Sequence, residues 1–117
     1  MDLLVTMAMQ KNIFRKLAIA IKIGDGNGEG TCYGSLGTVS EYLGDNVNAK
    51  KYLEKALAIA IEIGDRNGEG TRNGNLGTVF ISLGDYVNAK KYYVKGLAIA
   101  IEIGDRNGEG TDRKSVV

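Results

Sequence analysis

The chain has 117 residues, 44% hydrophobic and 25% charged, with no proline, tryptophan or histidine. That is length for one compact domain, and fifteen basic against fourteen acidic residues leave +1, which gives no electrostatic case for a nucleic acid or an anionic membrane. Without histidine, and with Cys32 as the single cysteine, a histidine-based triad, a zinc site and a disulfide-stapled scaffold are all excluded.

Met1 to Gln10 holds all three methionines and stands outside the pattern that fills the rest of the chain; Lys11 to Lys16 fits it only in part. A lead helix is predicted from about residue 3 to 23, carrying Leu17-Ala18-Ile19-Ala20-Ile21 near its end. Residues 1–24 therefore read as helix B of a partial repeat. From Asp25 to Gly64 and again from Asp65 to Gly104, two 40-residue segments agree at 29 of 40 positions. A further head, Asp105 to Thr111, makes 105–117 the start of another copy. A period of this size is the signature of a solenoid array.

Each unit reads as two helices of roughly 18 residues, about 27 Å each. Gly-Asp pairs at 24–25, 44–45, 64–65, 84–85 and 104–105 punctuate them. The glycine suits the left-handed position after a helix, and the aspartate caps the next one. Helix A of each unit is glycine-rich and too weak to stand alone, because each internal glycine costs about 1 kcal/mol against alanine. Gly37 and Gly77 are expected at the close contact between the two helices of a unit. Helix B (Val47 to Ile63, Val87 to Ile103) is well formed, with Ala49, Leu53, Ala56, Leu57, Ala60 and Ile63 on one apolar face. The opposite stripe carries Lys50 and Glu54 at pairing distance along a helix. Ile59, Ile61 and Ile63 alternate as a strand would, but the alanines between them and the helical spacing back to Ala49 favour a helix. A last helix is expected near 106 to 115.

Leu76-Gly77, Phe80, Leu83-Gly84-Asp85-Tyr86, Ala89, Tyr93 and Leu97 resemble the tetratricopeptide repeat. The first copy keeps Leu36, Gly37, Leu43, Gly44, Asp45, Ala49 and Leu57, but has Ser40 and Leu53 at the two aromatic positions. The 40-residue period, GDRNGEGT at the junction and GNLG in helix A resemble the repeats of Pins-like G-protein signalling modulators, and equally those of the tetratricopeptide repeat protein 28 type. The resemblance implies an all-α fold, a right-handed superhelical solenoid of antiparallel helix pairs, as a fragment of a longer array. It also implies a cytoplasmic, non-catalytic scaffold whose partners are proteins or peptides, without cofactor or metal. The concave surface would be lined by Thr31, Gly34, Ser35, Thr38 and Glu41 in the first copy and Thr71, Gly74, Asn75, Thr78 and Ile81 in the second. Small groove residues would let an extended peptide lie close. The lysine and asparagine that clamp a terminal carboxylate in some members are replaced here by Gly34, Gly74, Thr38 and Thr78. The alternative is a set of spacer repeats in a larger signalling protein whose binding or catalytic residues lie elsewhere.

The junction motifs carry no chemistry of their own. GDGNGEGT has no lysine before its threonine, so it is not a phosphate-binding loop, and Thr31 stands where a dinucleotide fingerprint needs glycine. Asp25, Asn27, Glu29 and Gly30 fall at EF-hand spacing, but Leu36 replaces the bidentate glutamate. Lys50-Lys51 and Lys90-Lys91 are expected on a solvated outer face, and Cys32 as an unreactive small side chain. Uncapped ends predict marginal stability and self-association.

Overall fold

The structure, a computed structural model, describes residues 2–109. Five helices follow one another: α1 (Leu3–Ile23), α2 (Gly26–Tyr42), α3 (Asn46–Glu62), α4 (Arg66–Ser82) and α5 (Tyr86–Glu109). Each packs on the next in sequence, so α2 with α3 and α4 with α5 form two helical hairpins, and α1 leads. The described residues contain no strand, and the Leu-Ala-Ile-Ala-Ile segments are helical throughout.

The turns show why a two-residue signal suffices. Gly24, Gly44, Gly64 and Gly84 take φ between 73° and 79°, a left-handed conformation that ends each helix. At the second turn the Gly44 N–H donates to the Glu41 carbonyl (3.0 Å) and the Asp45 N–H to that of Ser40 (2.8 Å). The aspartate closing one helix also opens the next. Asp25 and Asp65 accept from the Gly28 and Gly68 N–H groups at 2.9 Å. Asp45 and Asp85 accept from both the backbone and the side chain of Asn48 and Asn88. These bonds, the Asn88 side chain first, hold the Asp85 carboxyl below the usual carboxylate range.

Gly104 behaves differently. It lies inside α5, which runs on to Glu109, so the expected break at 104–105 does not form. The other four turns are each followed by a described helix that packs back on its predecessor, and none follows here. The part of the predicted last helix beyond residue 109 lies outside the described residues.

The glycines of helix A do the work expected of Gly37 and Gly77. A Cβ at position 37 would stand 2.6 Å from Leu53 Cγ, and one at 77 would stand 2.8 Å from the Tyr93 ring. Gly30 and Gly70 admit Ile59 and Ile99 in the same way, at 3.0 and 2.9 Å. Helix A thus gives up intrinsic propensity so that helix B can approach it. The core runs across the seam between the hairpins: Ala49 and Leu53 of α3 meet Leu76, Val79 and Phe80 of α4, and Ala89 of α5 joins them. Lys50 is not paired with Glu54 as its spacing suggests. Its ammonium instead lies 5.6 Å from the Phe80 ring centroid, where a cation over an aromatic face on the next hairpin outcompetes an exposed ion pair.

Candidate functional site

The ten groove residues fall on matching faces of α2 and α4, at i, i+3, i+4, i+7 and i+10 along each helix. Thr31, Thr38, Thr71, Thr78 and Ile81 are exposed; Ser35, Glu41, Gly74 and Asn75 are half-buried; Gly34 is buried. The threonines share one geometry. The hydroxyls of Thr31, Thr38, Thr71 and Thr78 donate back to the carbonyls of Asn27, Gly34, Asn67 and Gly74, at 3.0 to 3.3 Å. With the proton used inside the helix, the Thr31, Thr38 and Thr71 oxygens offer lone pairs outward. Thr78 Oγ1 also lies 2.8 Å from the Tyr93 hydroxyl, which ties the face to α5.

Asn75, like its counterpart Ser35, differs from the threonines. Its amide makes no hydrogen bond with any described residue, so two donors and one acceptor are free. Burial raises the Glu41 carboxyl above its ordinary value at the corresponding edge of the first repeat.

The two copies differ at their glycine. Nothing stands within 4 Å of a Cβ at Gly74. At Gly34 that place is filled by the guanidinium of Arg72, which crosses from α4 to α2. The close approach expected at Gly34 is therefore taken by the protein's own side chain. Sequence reasoning missed Arg72, although one signal existed: Cys32 and Arg72 occupy the same repeat position with very different size and charge.

Lys51, Lys90 and Lys91 are exposed as expected, and Lys90 also borders an open apolar groove of about 350 Å³ with Ile81, Tyr86, Ala89, Tyr93, Val94 and Leu97. The correction falls on Lys50, which is half-buried and reaches over Phe80. Arg66 joins α4 to α5, 2.8 Å from Glu102 and 2.9 Å from Glu69, and hydrogen bonds to those carboxylates, Glu102 first, raise its already high pKa.

Cys32 is half-buried and lines a groove with Lys16, Ile19 and Ala20 of α1. Desolvation raises its thiol pKa; Lys16 lowers it in part and Asp25 adds to the rise. Only the thiolate alkylates. Iodoacetamide at neutral pH is therefore expected to label Cys32 more slowly in the folded chain than in urea. Equal or faster labelling of the folded chain would contradict this.

Among the described residues no group of acidic or thiol side chains could hold a metal ion, and no helix is long and apolar enough to cross a membrane. No curated protein matches the chain. The family model of the tetratricopeptide repeat matches residues 30–102, covering α3 and α4 whole and most of α2 and α5. With the helix pairs, their glycine contacts and this match in agreement, the chain belongs to the tetratricopeptide repeat family.

Proposed function

We propose that this protein is a non-catalytic interaction module whose α2 and α4 faces hold an extended peptide segment of a protein partner. The repeat family is in general a scaffold for protein–protein interaction. The observation that carries the reading is the unengaged Asn75 amide, set on one face with outward threonine oxygens from both repeats. An extended backbone presents alternating N–H and C=O groups, which such a row of acceptors plus one amide can engage. The repeats belong, in this reading, to the 40-residue variety seen in Pins-like modulators, within a longer cytoplasmic array. The groove of Tyr93, Val94 and Leu97 supports the array: α4 covers the equivalent α3 surface, and a further helix A would cover this one.

The test is a peptide selected on this chain from a displayed library, then titrated against variants. Asn75→Ala is expected to weaken binding by roughly five- to 150-fold, the loss of about 1 to 3 kcal/mol for a polar contact to backbone. Ser35→Ala should cost less, because serine offers one hydroxyl. The exposed pair Lys51→Ala/Lys91→Ala should change affinity by about 0 to 1 kcal/mol. If the lysine pair abolishes binding while Asn75→Ala leaves it intact, the α2–α4 face is not the site. Loss of neither would leave the repeats as spacers.

A further inference from the structure

The outer side of the second hairpin holds a feature that peptide binding on the α2–α4 face does not use. Asn73 of α4 is 3% exposed. Its Nδ2 donates to the Glu69 carbonyl at 2.9 Å, which fixes the orientation of the amide. Its Oδ1 is buried and has no hydrogen-bond partner. A buried acceptor left this way costs the free energy of its lost hydration, so native proteins rarely keep one without a reason.

Asn73 lines a groove of about 320 Å³ between α3 and α5. Leu57 and Ile61 wall it on one side, Ala98 and Ile99 on the other. That volume is at the low end of the range for small ligand sites. The rim carries Arg66 and Lys95, both long and exposed.

The first hairpin shows what fills the corresponding position. There the residue is Tyr33, whose ring stacks on Tyr52 with centroids 6.3 Å apart and lies under the Lys55 ammonium at 5.3 Å. In the second hairpin the counterpart of Tyr52 is Tyr92, which stacks on Phe80 at 5.3 Å instead. The second hairpin has therefore lost a ring at this point and kept an unanswered acceptor in its place.

We propose that this groove receives a tyrosine side chain of a partner protein, with the ring between Leu57, Ile61 and Ile99 and the phenol O–H donated to Asn73 Oδ1. The apolar walls account for a ring, and the orphan oxygen accounts for a donor at its end. Because Oδ1 is buried, entry requires the rim to open, with Lys95 swinging aside and Arg66 leaving its ion pairs with Glu69 and Glu102. The site lies on the side of α4 away from Asn75 and stands or falls separately from the α2–α4 face.

N-acetyl-tyrosinamide titrated into isotope-labelled protein and followed by NMR tests it. The expected result is a saturable shift of the Asn73 side-chain amide and of the Ile61 and Ile99 methyls, with N-acetyl-phenylalaninamide at least about ten-fold weaker, since it lacks the donor. Asn73→Tyr should abolish the response by placing a ring of the chain's own in the groove. Asn73→Leu serves as the second variant if the tyrosine does not fold: it should erase the preference for tyrosine over phenylalanine. The proposal is overturned if no saturable shift occurs, which would mean that Oδ1 meets only water. Equal binding of the two probes, or a response that survives in either variant unchanged, overturns it as well.

Discussion

Leu53→Ala is expected to cost about 2 to 5 kcal/mol and to lower the melting temperature by about 10 °C or more. Leu53 is fully buried, and it sits where three helices meet. Its Cγ occupies the space left by Gly37 of α2, and it belongs to the same cluster as Leu76 and Phe80 of α4. Truncation removes contacts on both sides at once, and neither glycine nor the α4 core can collapse into the void without moving a helix. Against a total stability of about 5 to 15 kcal/mol, this is a large fraction. Leu97→Ala is the matched control. Leu97 is 61% exposed on the open face of α5, so its truncation should fall within about 0.5 kcal/mol of neutral. Thermal melts of both variants decide the matter: equal losses would mean that the seam between hairpins is not the centre of the core.

The second large effect is a difference of sign between two glycines of the same helix type. Gly37→Ala is expected to destabilise by about 1 to 3 kcal/mol, because its Cβ would meet Leu53 Cγ at 2.6 Å and Cδ2 at 2.8 Å, atoms that are themselves buried. Gly74→Ala is expected to stabilise by about 1 kcal/mol, because nothing stands within 4 Å of the new methyl group and alanine is the better helix former. Urea titrations with unchanged m-values would read both as shifts of the midpoint in opposite directions. Stabilisation by both substitutions would show that α2 and α3 are not in the contact described.

The parts of this fold that were legible in the sequence are the local ones. A glycine that must take positive φ and an aspartate that must cap are both decided within six residues, so the four turns from Gly24 to Gly84 follow from the dipeptide. Gly37 and Gly77 were legible too, since only close approach explains a glycine at that phase of a helix. Gly104 shows the limit of the same rule. The dipeptide is present, yet α5 runs through it to Glu109.

What crosses between hairpins was not legible. The reach of Arg72 to Gly34 and of Lys50 to Phe80 depends on the angle between neighbouring pairs. Long side chains choose among several surfaces that sequence spacing cannot rank. The ten groove residues, taken from the repeat resemblance, share one face on α2 and one on α4, but their hydrogen-bonding character was not legible. Only the structure shows that the Thr31, Thr38 and Thr71 protons are spent within the helices, that Thr78 also bonds Tyr93, and that the Asn75 amide is left free.

The most direct measurement of the central claim is hydrogen exchange on the chain with a selected peptide bound, compared with the free chain. The account predicts added protection along α2 and α4, centred on the turns that carry Thr38 and Asn75, with α3 unchanged on its outward side around Lys51. Protection confined to α3 and α5, with α2 and α4 exchanging as in the free chain, would contradict it.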